Sequence, residues 1–268
     1  MSKASAHRQH QLAVDDDSDM GPRLKFYSRV ADVHFWTDRW KNSGDVSYVR
    51  EETGHLPHQL RSIFTRWVPP GAAVLEAGCG LGHFTVAAWR RGCRAEGVDW
   101  SGATIAMLRE RFPAIPWHVG DVRRLSFRSE SFDALYSPGV CEHFEEGPTE
   151  VLDEARRVLR TGGIAIVMTP HFNDWLQRNA DRLPMATAAS ADAEFYQYAF
   201  TRDGMAALLD RIGFDVLQIR PYDTLATMME HAGWRVPGRI VAPLALALDY
   251  LPAVHRWGRM CLWVARKR

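Results

Sequence analysis

The chain has 268 residues, 46% of them hydrophobic, enough for one domain with a sizeable core or one domain with an added cap. Its 33 Lys and Arg nearly balance its 32 Asp and Glu, a formal net charge of +1, so no basic excess of the phosphate-tracking kind exists and no nucleic-acid partner is expected. Cys79, Cys93, Cys141 and Cys261 are widely spaced and form no CxxC pair, which excludes a metal or disulfide framework and fits a reducing, cytoplasmic setting.

Residues 1–20 are polar, hold Asp15, Asp16 and Asp17 in a row, and lack the apolar stretch of a signal peptide; they read as a disordered tail. No run of about 18 apolar residues occurs, so no transmembrane helix is expected. Residues 21–70 read as a helical lid rich in aromatics, among them Phe26, Tyr27, Phe35, Trp36 and Trp40, and Pro69-Pro70-Gly71 stops it. From residue 71 to 268 strand and helix patterns alternate. Strands are predicted at 72–77, 94–99, 117–119, 132–137, 164–168, 214–220 and 260–265. Helices are predicted at 84–91, 103–111, 150–159 and 205–211. An insertion, 221–259, separates the last two strands and reads as helical. Such alternation builds βαβ units and a mainly parallel sheet, with a ligand crevice at the carboxyl ends of the strands.

The first of these strands runs into Gly78-Cys79-Gly80-Leu81-Gly82. Alternating glycines between a strand and a helix let the backbone turn tightly and leave room for a ligand against it. The dinucleotide fingerprint is GxGxxG, but here the third glycine comes one residue early and His83 stands in its place, which disfavours NAD. The Lys-Ser/Thr of a P-loop is missing. Asp99 ends the second strand about 20 residues on, where a carboxylate can accept from both hydroxyls of a ribose. Its alternative is an acid serving the helix start near Ser101. Asp121, after the third strand, can accept from an adenine amine, or is a solvated loop acid.

With these residues in order, the chain resembles the class I S-adenosylmethionine-dependent methyltransferases, in the small-molecule group related to the ubiquinone-biosynthesis methyltransferases. The matching stretches are 74–82, 97–101, Gly120-Asp121, 132–144 and 150–168. The resemblance covers roughly 72–220 and the last strand; one glycine loop would be weak, but several motifs at family spacing are specific. It implies a Rossmann-like α/β fold with a seven-stranded, mostly parallel sheet flanked by helices, the last strand antiparallel, and S-adenosyl-L-methionine as cofactor. Glu76 would then orient the methionine amino end, while Gly78, Gly80 and Gly82 form the loop. Asp99 would hold the ribose with Trp100 beside the adenine, Asp121 and Val122 would define the adenine pocket, and Ser137 would lie near the sulfonium.

Methyl transfer from a sulfonium is a direct displacement in which positioning dominates, with a general base useful for a hydroxyl acceptor. The candidate bases are His143 and His171, at the ends of the fourth and fifth strands; each has a packing role as its alternative. Some relatives bind a divalent metal through Glu-x-x-Glu-His at this place. Here Gly139 replaces the first Glu, so no metal is expected. Tyr27, Trp36 and Trp40 from the lid, with Tyr196 and Tyr198, are candidates for an aromatic acceptor pocket. Within the insertion, residues 240–251 are apolar and flanked by arginines. They fit a peripheral membrane contact, a buried cap or a homodimer surface. The favoured acceptor is small and apolar, or lipid- or glycan-linked, methylated at oxygen. An RNA or protein methyltransferase and an inactive cofactor-binding scaffold are the alternatives.

Overall fold

A computed structural model describes residues 11–17, 20–28, 32–43, 47–56, 58–182, 194–224 and 257–268. The main sheet contains β3 (Ala73–Ala77), β4 (Arg94–Asp99), β5 (Trp117–Val119), β6 (Phe132–Pro138), β7 (Leu159–Pro170), β9 (Phe214–Tyr222) and β10 (Met260–Lys267). Their spatial order is β5-β4-β3-β6-β7-β10-β9. β10 is antiparallel to both neighbours and the pairings among β3 to β7 are parallel. This is the Rossmann-like sheet expected from the sequence. The order reverses between β3 and β6, which places a crevice at their carboxyl ends.

Side-chain alternation along the strands feeds two apolar layers, one on each face. On β10, Cys261, Trp263 and Ala265 enter one cluster while Leu262 and Val264 enter the other. On β7, Ala165 and Val167 oppose Ile164 and Ile166 in the same way. The helices covering these faces are α2 (His58–Trp67), α3 (His83–Arg90), α4 (Gly102–Arg111), α5 (Thr149–Val158) and α7 (Arg202–Ile212), and a short α6 (Asp174–Arg178) follows β7. In α5 the buried Val151, Leu152, Ala155 and Val158 recur at helical spacing. Burying a valine or leucine side chain there contributes roughly 1.5–3 kcal/mol. Thr201 caps α7 by accepting from the Gly204 N–H at 3.1 Å.

The segment before the sheet differs from expectation. Residues Gln11–Asp17 (β1) and Gly21–Ser28 (β2) form an antiparallel hairpin instead of a disordered tail and a helix. β2 also pairs with β8 (Glu194–Phe200), giving a second, three-stranded sheet. Two acids of the aspartate run that suggested solvation are paired there: Arg23 bonds Asp15 at 2.8 Å and Asp17 at 3.0 Å. Leu24, fully buried, packs with Leu12, Phe172 and Ala199. The helical part of the lid is α1 (Val33–Lys41), capped by Asp32, together with α2. Most of the insertion, including 240–251, lies outside the described residues. Among the described residues no helix is long and apolar enough to cross a membrane.

Candidate active site

The crevice at the reversal of strand order opens into a cavity of about 650 Å³. Glu76, Gly78 and Gly80 line it from the end of β3, and Asp99, Trp100, Asp121 and Val122 from the ends of β4 and β5. The glycine loop takes left-handed backbone at Gly78, Gly80 and Gly82, with φ of 78°, 48° and 69°, which is why other residues are disfavoured there. Side chains as well as any ligand exploit the missing Cβ atoms. Val140 lies against Gly78 and Trp40 against Gly80, so α1 roofs the loop. A hydrogen bond of 2.8 Å between Thr37 Oγ1 and Ser101 Oγ latches α1 to the start of α4.

Two acids are built into this half. Glu76 is buried, and one of its carboxylate oxygens accepts from the Thr85 N–H at 2.9 Å and from the Thr85 hydroxyl. Burial pushes its pKa up to about 8 despite those bonds. Asp99 accepts from the Gly80 N–H with one oxygen and the Ser101 N–H with the other, both at 2.9 Å. It therefore ties the loop to the α4 start, as the helix-start alternative expects, and lone pairs on both oxygens are left for a ligand. Burial raises its pKa, and the bonds from Ser101 and Gly80 oppose that. Asp121 is partly exposed. Its hydrogen bond to Arg123, at 2.7 Å, holds its carboxyl below the usual range.

Opposite lies the aromatic half. The register of β2 on β8 shifts between Phe26 and Tyr27, leaving Tyr196 as the extra residue of a bulge. Its carbonyl lies 2.8 Å from His143 Nδ1. A carbonyl only accepts, so Nδ1 carries the hydrogen and Nε2 presents a bare lone pair. The His143 ring sits edge-on to Trp36 at 5.1 Å and to Tyr196 at 5.2 Å, and Trp36 stacks on Trp40 at 5.5 Å. Burial lowers its pKa to about 4. The neighbouring Glu142 is buried, raised to about 8 by desolvation, and its Oε1 is 4.0 Å from His143 Nε2, too far for a hydrogen bond. His171, at the far wall, is likewise tied through Nδ1 to Gly258 O at 2.8 Å and lowered by burial to about 4.

Trp36, Trp40, Tyr196, His143 and His171 thus meet in one cavity with the cofactor-binding candidates. Four residues do not reach it. Gly82 faces Trp117, which a Cβ would approach to 2.5 Å, so its role is packing. Ser137 is buried beneath Pro138 and Gly139, which form the wall in its place. Alternation along β2 and β8 sends Tyr27 and Tyr198 to the other face. There Tyr198 is fully buried, donates to Glu145 O at 2.8 Å and carries the Arg23 guanidinium 4.1 Å over its ring. Arg39, Gln197 and Leu176 line the cavity without a sequence signal of their own, since they arrive on elements far apart in the chain.

Residues 75–167 match the family model described as methyltransferase domain. A probable S-adenosylmethionine-dependent methyltransferase of Mycolicibacterium smegmatis is 35% identical over 101 residues, 38% of this chain and 39% of that protein. The chain therefore matches well under two thirds of that relative's length. EEF1A lysine methyltransferase 4 of Mus musculus is 28% identical over 189 residues, covering 62% of this chain and 73% of that protein. Among solved structures, the PH0226 protein of Pyrococcus horikoshii OT3 superposes with a TM-score of 0.54 at 19% identity, over 82% of this chain and 90% of that one, a likeness of fold. Residues 75–167 thus carry a methyltransferase domain with S-adenosyl-L-methionine as its cofactor.

Proposed function

We propose that the whole chain is a methyltransferase that acts on the oxygen of a small, largely apolar acceptor, with His143 as the base. The cofactor half suits its ligand: a buried acid at Glu76, a left-handed glycine loop, and the Asp99 and Asp121 carboxylates along one wall. Glu76 would take the amino end, Asp99 the ribose, and Asp121 with Val122 and Trp100 the adenine. Bound there, S-adenosylmethionine supplies a methyl group activated by its sulfonium.

One observation carries the oxygen assignment. The bulge carbonyl of Tyr196 locks His143, a residue of the cavity wall, in the tautomer that leaves Nε2 as an acceptor. An imidazole titrating near 4 is a weak base, yet it suffices. As the new C–O bond forms, the acceptor hydroxyl becomes an oxonium, a far stronger acid than this imidazolium, so its proton passes to Nε2. Trp36, Trp40 and Tyr196 give the acceptor flat apolar walls and exclude water from the displacement.

The test is labelled-methyl transfer from S-adenosylmethionine into fractionated cell extract, followed by mass spectrometry of the product. A methoxy product from a small molecule is expected. His143→Ala should cut turnover by on the order of 10²–10⁴ with affinity for S-adenosylhomocysteine retained; unchanged turnover removes the base. The lysine methyltransferase relative favours a second reading, a protein acceptor, in which label would appear on a polypeptide amine instead. A lipid-linked acceptor adds liposome flotation dependent on residues 240–251.

A further inference from the structure

His171 follows Pro170, the last residue of β7, lines the cavity and has only 1% of its surface exposed. Its backbone N–H donates to Arg259 O and its Nδ1–H to Gly258 O, both at 2.8 Å. Those bonds fix the ring, and burial, which lowers its pKa to about 4, keeps it neutral, with Nε2 as a lone-pair acceptor. That Nε2 is buried and has no hydrogen-bond partner among the described residues. The same holds for Glu142 Oε2, on the same cavity and 2% exposed. Burial keeps the Glu142 carboxyl protonated to about pH 8, so it can donate as well as accept. Buried polar atoms without partners are rare and costly, and a ligand that completes them removes that cost. Neither group is needed for the displacement, and neither belongs to the cofactor wall.

We propose that His171 Nε2 and the Glu142 carboxyl are a recognition pair for the acceptor, selecting an uncharged molecule that carries a second hydroxyl or N–H in addition to the group that is methylated. The second donor meets His171, and a neighbouring oxygen or nitrogen meets Glu142. An ionised carboxylate or phosphate has no hydrogen for His171 and would bring a charge into a dry wall. The pair selects by the cost of leaving itself unpaired, which discriminates against analogues lacking the donor more strongly than apolar contact does. This inference rests on the methyl-transfer reading of the same cavity.

The test uses the full chain saturated with S-adenosylhomocysteine and three probes: 4-tert-butylphenol, 4-tert-butylcatechol and tert-butylhydroquinone. The butyl group stands in for an apolar body against Trp36 and Tyr196. By calorimetry, at least one diphenol should bind tenfold or more tightly than the monophenol, about 1.4 kcal/mol. His171→Asn keeps a donor for Gly258 O but has nothing at the Nε2 position, and it should erase that advantage. His171→Gln places an oxygen there and should preserve most of it. A merely structural histidine predicts the opposite order for the two variants. Equal binding of the three phenols, no binding by any, or an advantage retained in His171→Asn overturns the proposal. The wild-type comparison stands whether or not a variant folds. If S-adenosylhomocysteine itself fails to bind, the methyl-transfer reading falls with it; if it binds and the phenols are not distinguished, only this proposal falls.

Discussion

On the proposed reading, Glu76 meets the cofactor with a proton attached. Burial pushes its pKa up to about 8, against the two Thr85 hydrogen bonds that favour the carboxylate. At pH 7 a group titrating near 8 is about 0.9 protonated. The α-ammonium of the cofactor stabilises the carboxylate, so binding at pH 7 should release about 0.9 proton per site. The complex then holds fewer protons than the free protein, so raising the pH favours binding. The logarithm of the affinity should climb by about 0.9 per pH unit near 7 and level off above 8. Titration calorimetry of S-adenosylhomocysteine at pH 7 in phosphate and in Tris, whose ionisation enthalpies differ, measures the release directly. Glu76→Gln should remove most of it and weaken binding. A wild-type release near zero, or one unchanged in Glu76→Gln, would refute the assignment of the amino end to Glu76.

Asp99→Ala removes the partner of both the Gly80 and Ser101 N–H groups and should abolish the rise in melting temperature that S-adenosylhomocysteine gives; a preserved shift would separate Asp99 from the cofactor. Stability of the free protein should fall from pH 6.5 to 8.5. Glu76 and Glu142 are raised to about 8 from 4.5, so their contribution is full below 4.5 and is lost as pH rises through 8. His143 and His171 are lowered to about 4 from 6.5, so theirs is present above 6.5 and lost toward 4. The two trends oppose each other up to 6.5 and leave a net decline above it, read as a falling melting temperature; a flat profile from 6.5 to 8.5 counts against the burial of these carboxyls. Gly82→Ala sets a Cβ 2.5 Å from Trp117 on left-handed backbone and should cost on the order of 1–3 kcal/mol in a denaturant titration. A neutral result would mean that the loop and the Trp117 ring yield easily.

Periodicity and punctuation placed most of the main sheet in advance. The strands β3 to β6, with β9 and β10, lie within two residues of their predicted limits, while β7 begins five residues before its predicted start, because its pairing carries through the glycines that read as a turn. The cofactor half was readable too. Glu76, the glycine loop, Asp99 and Asp121 follow strand ends at fixed spacing, so chain order alone brings them to one crevice. The acceptor half depends on contacts between segments far apart in the sequence. Residues 11–17 and 21–28 look polar or helical alone and form strands by pairing with each other and, for β2, with β8, more than 160 residues later. That pairing decides which aromatics face the cavity: its bulge sends Tyr196 and Phe26 inward, and its alternation takes Tyr27 and Tyr198 away. It also supplies the carbonyl that sets the His143 tautomer. A histidine in a sequence carries no tautomer and a glutamate no burial. Only the folded chain settles that His143 and His171 are neutral acceptors and that Glu142 keeps its proton, since those states follow from a neighbouring carbonyl and the loss of water.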